Sequence, residues 1–230
     1  MRILIIGGGI AAVYLANNLS RQNSLLNIIV LSDEQYNPYD RIHLCKLVDG
    51  SSNVKDISLQ LDPIVNLELD QKIEKIDKKN KRVFSKTSMF SYDKLIIATG
   101  SLPVSLFDID KISNAALFRN ALDCEIIKNG VKNREVVIVG SGPIGLELLE
   151  TLNEMPDVNK ITLLVRGNYL YDKTLSLQSI KTIEQCYLKN EKIRISYEDE
   201  IIDKVIENGQ IRFNEKFGGS KHPYLKNYFP

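Results

Sequence analysis

Ile3-Leu4-Ile5-Ile6 is a short, unbroken apolar run rich in β-branched residues, the pattern of a strand buried on both faces. It runs into Gly7-Gly8-Gly9-Ile10-Ala11-Ala12, and a helix is predicted from about Ala11 to Ser20, with Val13, Ala16 and Leu19 on one face. Ile28-Ile29-Val30-Leu31 then reads as a second buried strand. The same order recurs: a strand at Val136–Val139, a turn at Gly140-Ser141-Gly142-Pro143-Ile144-Gly145, a helix at Leu146–Asn153 and a strand at Ile161–Val165. A constant offset of 133 places Gly7 on Gly140, Gly9 on Gly142, Ala12 on Gly145 and Ile28 on Ile161 without a gap.

Each copy has the strand, glycine turn, helix and strand that a dinucleotide-binding βαβ unit requires. The first glycine makes the tight turn, the second lets backbone approach a pyrophosphate, and the third lets helix and strand pack closely. The helix N-terminal amides and macrodipole then hold the anion. In the first unit the candidates are Gly7, Gly9 and Ala12, the last a slightly larger variant of the third glycine. In the second they are Gly140, Gly142, Ile144 and Gly145. The plain alternative is a pair of strand–helix turns that bind nothing. Asp33, 24 positions after Gly9, stands where a carboxylate accepts from ribose hydroxyls, and Glu34 would serve after a one-residue change of register. Its counterpart in the second unit is Arg166, with Val165 matching Ser32. A cation there accommodates a 2′-phosphate and favours NADP over NAD; otherwise it is a solvated surface arginine.

Composition narrows the class. The chain has 230 residues, a formal charge of +1, 43% hydrophobic and 26% charged residues. Near-neutral charge gives no electrostatic reason to expect nucleic acid or an acidic membrane as a partner. The apolar runs fall far short of the roughly 18 residues of a membrane span. The N-terminal run meets glycines with no cleavage pattern of a signal peptide. Three scattered cysteines point away from a disulfide framework and towards a reducing, cytoplasmic compartment. His43 and His222 show no metal-ligand spacing, so no metal is expected.

Three further stretches carry a family likeness. Tyr92–Pro103 contains a strand followed by Ala98-Thr99-Gly100; Ala116–Asp123 holds Arg119, Asn120 and Asp123; and Tyr39-Asp40-Arg41-Ile42-His43-Leu44-Cys45-Lys46 reads as Tyr-x-Arg-x-x-Leu-Cys-Lys. With the doubled glycine unit, the chain resembles the pyridine nucleotide-disulfide oxidoreductase superfamily of FAD/NAD(P)H flavoproteins. It is most similar to the branch containing rubredoxin and ferredoxin reductases and the flavin part of NADH-nitrite reductase. The resemblance implies an α/β chain of two Rossmann-like three-layer dinucleotide-binding domains, the first interrupted and incomplete. Residues 1–106 would form part of an FAD domain and 107–230 an NAD(P) domain with an irregular tail. It further implies that Ala98, Thr99 and Gly100 close over FAD, that Arg41 meets the FAD pyrophosphate, that Lys46 points at the flavin ring, and that Glu147 lies near the nicotinamide. From the residues alone, Arg41 and Lys46 could be surface cations, and Glu147 a favourable first-turn acid.

A dithiol relay needs two neighbouring thiols, and the chain has no CxxC or CxxxxC pair. Cys45 occupies the Ser slot of the run Tyr-x-Arg-x-x-Leu-Ser-Lys of that branch, as a redox thiol or as a small packing residue; Cys124 and Cys186 are expected to pack within helices. The Ala-x-Gly-Asp motif that ends the family's FAD domain does not occur; Ile201–Ile206, Asn208-Gly209 and Ile211–Phe213 lead instead into a polar tail. The expected activity is hydride transfer from NAD or NADP to FAD and onward to a rubredoxin- or ferredoxin-like protein or a small acceptor. A homodimer or complementing chain would supply what the FAD domain lacks. The alternative is a truncated, non-catalytic dinucleotide-binding or assembly module.

Overall fold

A computed structural model of the chain describes residues 1–105, 112, 115–171, 175–199, 201–207 and 210–215, with residues from 202 onward as backbone only. The chain divides into two compact units, Met1–His43 with Ser52–Leu102, and Leu44–Ser51 with Pro103–Pro230. The expected boundary at 106/107 lies outside the described residues, as do the Asn208-Gly209 turn and the polar tail.

The first unit is built on a parallel sheet of order β3-β2-β1-β7, from β1 (Arg2–Ile6), β2 (Asn27–Leu31), β3 (Asn66–Glu68) and β7 (Lys94–Ile97). Alternation along β1 fixes what covers each face. Ile3 and Ile5, with Ile28 and Val30 of β2, pack on Ala12 and Ala16 of α1 (Ile10–Gln22). Leu4 and Ile6, with Leu31, pack on Val83 and on Ile73, Ile76 and Phe90. Those belong to an antiparallel meander of β4 (Ile73–Asp77), β5 (Arg82–Ser85) and β6 (Met89–Ser91). The basic turn Lys78-Lys79-Asn80-Lys81 joins β4 to β5, where Asp77 accepts from the Asn80 backbone N–H at 3.0 Å. Helix, sheet and meander make the three layers.

The second unit repeats the plan on a parallel sheet of order β10-β9-β8, from β8 (Arg134–Val139), β9 (Val158–Val165) and β10 (Ile193–Tyr197). Helices α3 (Ala121–Gly130), α4 (Pro143–Glu154) and α5 (Leu177–Leu188) belong to it, as does the short α2 (Leu44–Val48). Val48 of α2 is fully buried, and the Cys124 thiol of α3 donates to the Leu44 carbonyl at 3.6 Å. The C-terminal end of α4 is closed from β10's approach, where Lys192 Nζ donates to the Leu152, Asn153 and Met155 carbonyls at 3.1, 2.8 and 2.7 Å. These are the carbonyls that a helix leaves unpaired at its end. An antiparallel hairpin, β11 (Ile201–Glu207) and β12 (Gln210–Glu215), follows.

The repeat is exact in register. Ile3 pairs with Ile28 and, 133 positions on, Val136 pairs with Ile161. It also extends to a third strand, which the offset of 133 does not announce. Asp70 and Glu198, just past β3 and β10, both take positive φ, at 56° and 54°. The Asp70 N–H donates to Glu34 O and the Gln71 N–H to Ser32 O; the Glu198 N–H donates to Gly167 O and the Asp199 N–H to Val165 O. The units differ at β7. Among the described residues β8 has no strand on the side where β1 has β7.

Candidate dinucleotide sites

The two glycine turns have nearly the same backbone. Gly7 and Gly140 sit at φ 116° and 113°, a region that side chains rarely enter. The Gly7 N–H donates to Leu31 O at 2.8 Å and the Gly140 N–H to Leu164 O at 3.1 Å, so each turn is bonded to the end of the next strand. Gly9 and Gly142 are the N-caps of α1 and α4, at φ −83°, ψ 179° and φ −78°, ψ −179°. Neither helix has a side-chain cap or an acid in its first turn, and Pro143 opens α4. The first-turn amides of both helices therefore have no side-chain acceptor, although the Ala12 N–H bonds to Gly9 O at 3.0 Å and Pro143 has no N–H to offer.

In the first unit the expected residues converge. A Cβ on Gly7 would stand 2.2 Å from the Ala98 carbonyl and 3.1 Å from Thr99 Cα, which brings the Ala98-Thr99-Gly100 turn against the glycine turn. Gly100 has φ 71°. A Cβ on Gly9 would stand 3.2 Å from Arg41 Nη1, so the guanidinium lies over the helix N-cap. Arg41 also pairs with Glu34, and Tyr39 Oη donates to the other Glu34 oxygen at 2.5 Å. The Arg41 guanidinium lies 5.4 Å from the Tyr39 ring centre, and its Nε is buried with no hydrogen-bond partner. Glu34 is thus the acid turned towards the glycine turn, whereas Asp33 is exposed. Tyr39 stands in the sequence only as the first residue of the Tyr-x-Arg-x-x-Leu-Cys-Lys run, with no site role given to it there; the structure shows it orienting Glu34.

In the second unit Gly140, Gly142 and Gly145 converge. A Cβ on Gly145 would fall 2.0 Å from the Gly140 carbonyl, so helix and turn pack closer than in the first unit, where Ala12 is fully buried at the same place. Gly140 itself has nothing within 4 Å of such a Cβ, because no counterpart of β7 stands there among the described residues. Ile144 and Arg166 are exposed, the latter at the end of β9. Glu147 is exposed and lies beyond the first turn of α4, so it is not the first-turn acid that composition allowed.

Lys46 is exposed on α2. Next to it Cys45 is half-buried, and burial pushes its thiol up, with the Thr151 hydroxyl lowering it and the Glu147 carboxylate raising it further. Burial and then the Asp123 carboxylate push Cys124 up to about 12. Both stay protonated at neutral pH, unlike an activated nucleophile. Cys186, expected in packing, is instead exposed on α5. Among the described residues no group of His, Cys, Asp and Glu could hold a metal ion, and no helix is long and apolar enough to cross a membrane.

The family model for pyridine nucleotide-disulphide oxidoreductases matches residues 1–221. The chain belongs to that family. It is 29% identical over 173 residues to the nitrite reductase [NAD(P)H] of Bacillus subtilis, covering 70% of this chain and 21% of that protein. It is 30% identical over 157 residues to the rubredoxin-NAD(+) reductase of Pseudomonas putida, covering 64% of this chain and 41% of that one. Among solved structures, the water-forming NADH oxidase from Lactobacillus brevis bound to NADH superposes with a TM-score of 0.81 at 17% identity, over 94% of this chain and 50% of that one. That likeness shows the Rossmann-like fold. The chain spans well under half the length of these two curated relatives.

Proposed function

We propose that the chain is the nucleotide-binding part of an FAD-dependent NAD(P)H oxidoreductase, with FAD in the first unit and the nicotinamide nucleotide in the second. The observation that carries this reading is the doubled turn: two glycine turns of matching φ, each opening a helix without a side-chain cap, in a chain of this family.

The residues of the first unit fit an FAD diphosphate. The first-turn amides of α1 supply neutral donors, and Arg41 adds a guanidinium over Gly9 whose buried Nε awaits an acceptor. Glu34, held by Arg41 and Tyr39, would accept from ribose hydroxyls, with Asp33 as the more exposed acid beside it. When bound, the flavin accepts hydride from reduced nicotinamide and passes the electrons on. Lys46 offers a cation suited to an electron-rich ring, and Glu147 a carboxylate on the nicotinamide side of α4. In the second unit the α4 amides, Gly140, Gly142 and Gly145 would hold the pyrophosphate, with Ile144 on the exposed face of the first turn. Arg166 would meet a 2′-phosphate, which favours NADPH. A rubredoxin- or ferredoxin-like protein, or a small acceptor, would receive the electrons; the rubredoxin reductase relative supports a redox protein.

FAD titration into the purified protein, followed by flavin fluorescence, tests the first site. Saturable one-to-one binding that weakens in Arg41→Met is expected. Absence of FAD binding would contradict the assignment.

A further inference from the structure

The loop after β9 carries an aromatic ring that the reading above leaves unused. Its start is fixed where Gly167 O accepts from the Glu198 N–H at 3.1 Å. Its end is fixed by Leu170, which is fully buried, and by the Tyr171 N–H, which donates to Ser141 O of the second glycine turn at 3.3 Å. Between these anchors Tyr169 is 40% exposed, three residues after the exposed Arg166. A ring left partly open on a loop pinned beside a glycine turn presents part of its surface for stacking.

The repeat supplies an independent observation. The offset that places Gly7 on Gly140 and Asp33 on Arg166 also places Tyr36 on Tyr169. Ser32-Asp33-Glu34-Gln35-Tyr36 and Val165-Arg166-Gly167-Asn168-Tyr169 differ in charge, yet both end in tyrosine. The loops share their fixings too, since Glu34 O and Gly167 O each accept from the left-handed residue past the third strand. The acid is exchanged for a cation between the units while the ring is kept. The group common to FAD and NAD(P)H at that end is adenine, whose π-face an aromatic ring suits irrespective of the ribose.

We propose that Tyr169 is the adenine-stacking residue of the second unit, as Tyr36 is of the first. The inference rests on the two-nucleotide reading and adds the residue that grips the base. Arg166 then discriminates at the ribose, while Tyr169 contributes equally to NADH and NADPH. Base–aromatic stacking is tolerant of everything except loss of the ring.

The test uses the full chain saturated with FAD, so that added nucleotides report the second unit, with 5′-AMP and 2′,5′-ADP as probes followed by calorimetry. Tyr169→Ala is expected to weaken both probes by roughly five- to a hundredfold, with Tyr169→Phe close to wild type. Arg166→Ala should weaken 2′,5′-ADP alone. Tyr36→Ala should weaken FAD and leave the probes unchanged when FAD is kept saturating. Tyr169→Leu, which keeps bulk without the π-face, replaces the alanine variant should that fail to fold. Wild-type affinity for 5′-AMP in the ring-deleted variant overturns this inference and leaves the two-nucleotide reading standing. FAD-loaded wild type that binds neither probe overturns that reading itself.

Discussion

Gly145 stands so close to Gly140 that a Cβ on it would lie 2.0 Å from the Gly140 carbonyl oxygen, whereas at the equivalent place in the first unit Ala12 fits fully buried. The obstacle is backbone, which cannot swing aside as a side chain can. Gly145→Ala should therefore push α4 off its turn, at a cost of about 1–3 kcal/mol, and weaken nicotinamide nucleotide binding. The reciprocal Ala12→Gly should cost about 2 kcal/mol through helix propensity and one lost methyl, but without displacing α1 from its turn or weakening nucleotide binding at the second unit. Urea unfolding of the two variants, with nucleotide titration, checks the asymmetry.

Arg41 is held by Glu34 but their side chains remain 30% and 21% exposed, so the pair adds at most about 1 kcal/mol to stability. Its larger expected effect is on ligand. Arg41→Met should leave the unfolding midpoint nearly unchanged and lower FAD affinity by about tenfold or more. Arg41→Lys should recover little, because an ammonium cannot serve Glu34 and a phosphate with the same fork. Equal losses of stability and FAD affinity would instead mark the residue as structural.

Two phenols make the second unit sensitive to alkali. Tyr187 donates to Glu150 at 3.0 Å and Tyr197 to Glu184 at 2.6 Å. Burial first, then the carboxylate, pushes Tyr187 up from 10 to about 12, and Tyr197 is raised for the same reasons. Below about pH 10 both states keep the proton, and the stability from these bonds is intact. Above it the unfolded chain ionises first, so stability falls as pH rises through the folded values. Denaturant midpoints should drop between about pH 9.5 and 11.5, and more shallowly in the Tyr187→Phe, Tyr197→Phe double variant. Equal slopes would sink this account.

The thiols divide by burial. Cys124 and Cys45 are raised by desolvation, while Cys186 is exposed. A thiol reagent should find one fast group in the native protein, lost in Cys186→Ser, and three in urea. A fast reaction at Cys45 would reopen a redox role for it.

The first two strands and the glycine turn of each unit were legible because one pattern of apolar strand, glycine turn and helix is written twice at one spacing. The third strand was not legible as part of the repeat. Its crossover from β2 runs through loops and the short α2 and its crossover from β9 through α5, so Glu68 corresponds to Ser196 at a different offset, 128. Only the shared left-handed Asp70 and Glu198 reveal the match. In the site, spacing put Asp33 forward as the ribose acid, with Glu34 only after a one-residue change of register, and did not show which carboxylate turns towards the glycine turn. The choice is made by a side-chain knot with Tyr39 and Arg41, which depends on how the loop after β2 closes rather than on any local pattern. Cys186 was misjudged because helical position alone does not say which face is covered.

The central claim is that one chain binds a flavin and the nicotinamide nucleotide that reduces it. The most direct test is anaerobic addition of NADPH or NADH to the FAD-loaded protein, followed by the yellow flavin absorbance. Bleaching by one equivalent of nucleotide, faster with NADPH than with NADH and losing that preference in Arg166→Ala, is the predicted result. FAD-loaded protein whose absorbance neither nucleotide bleaches would contradict the account.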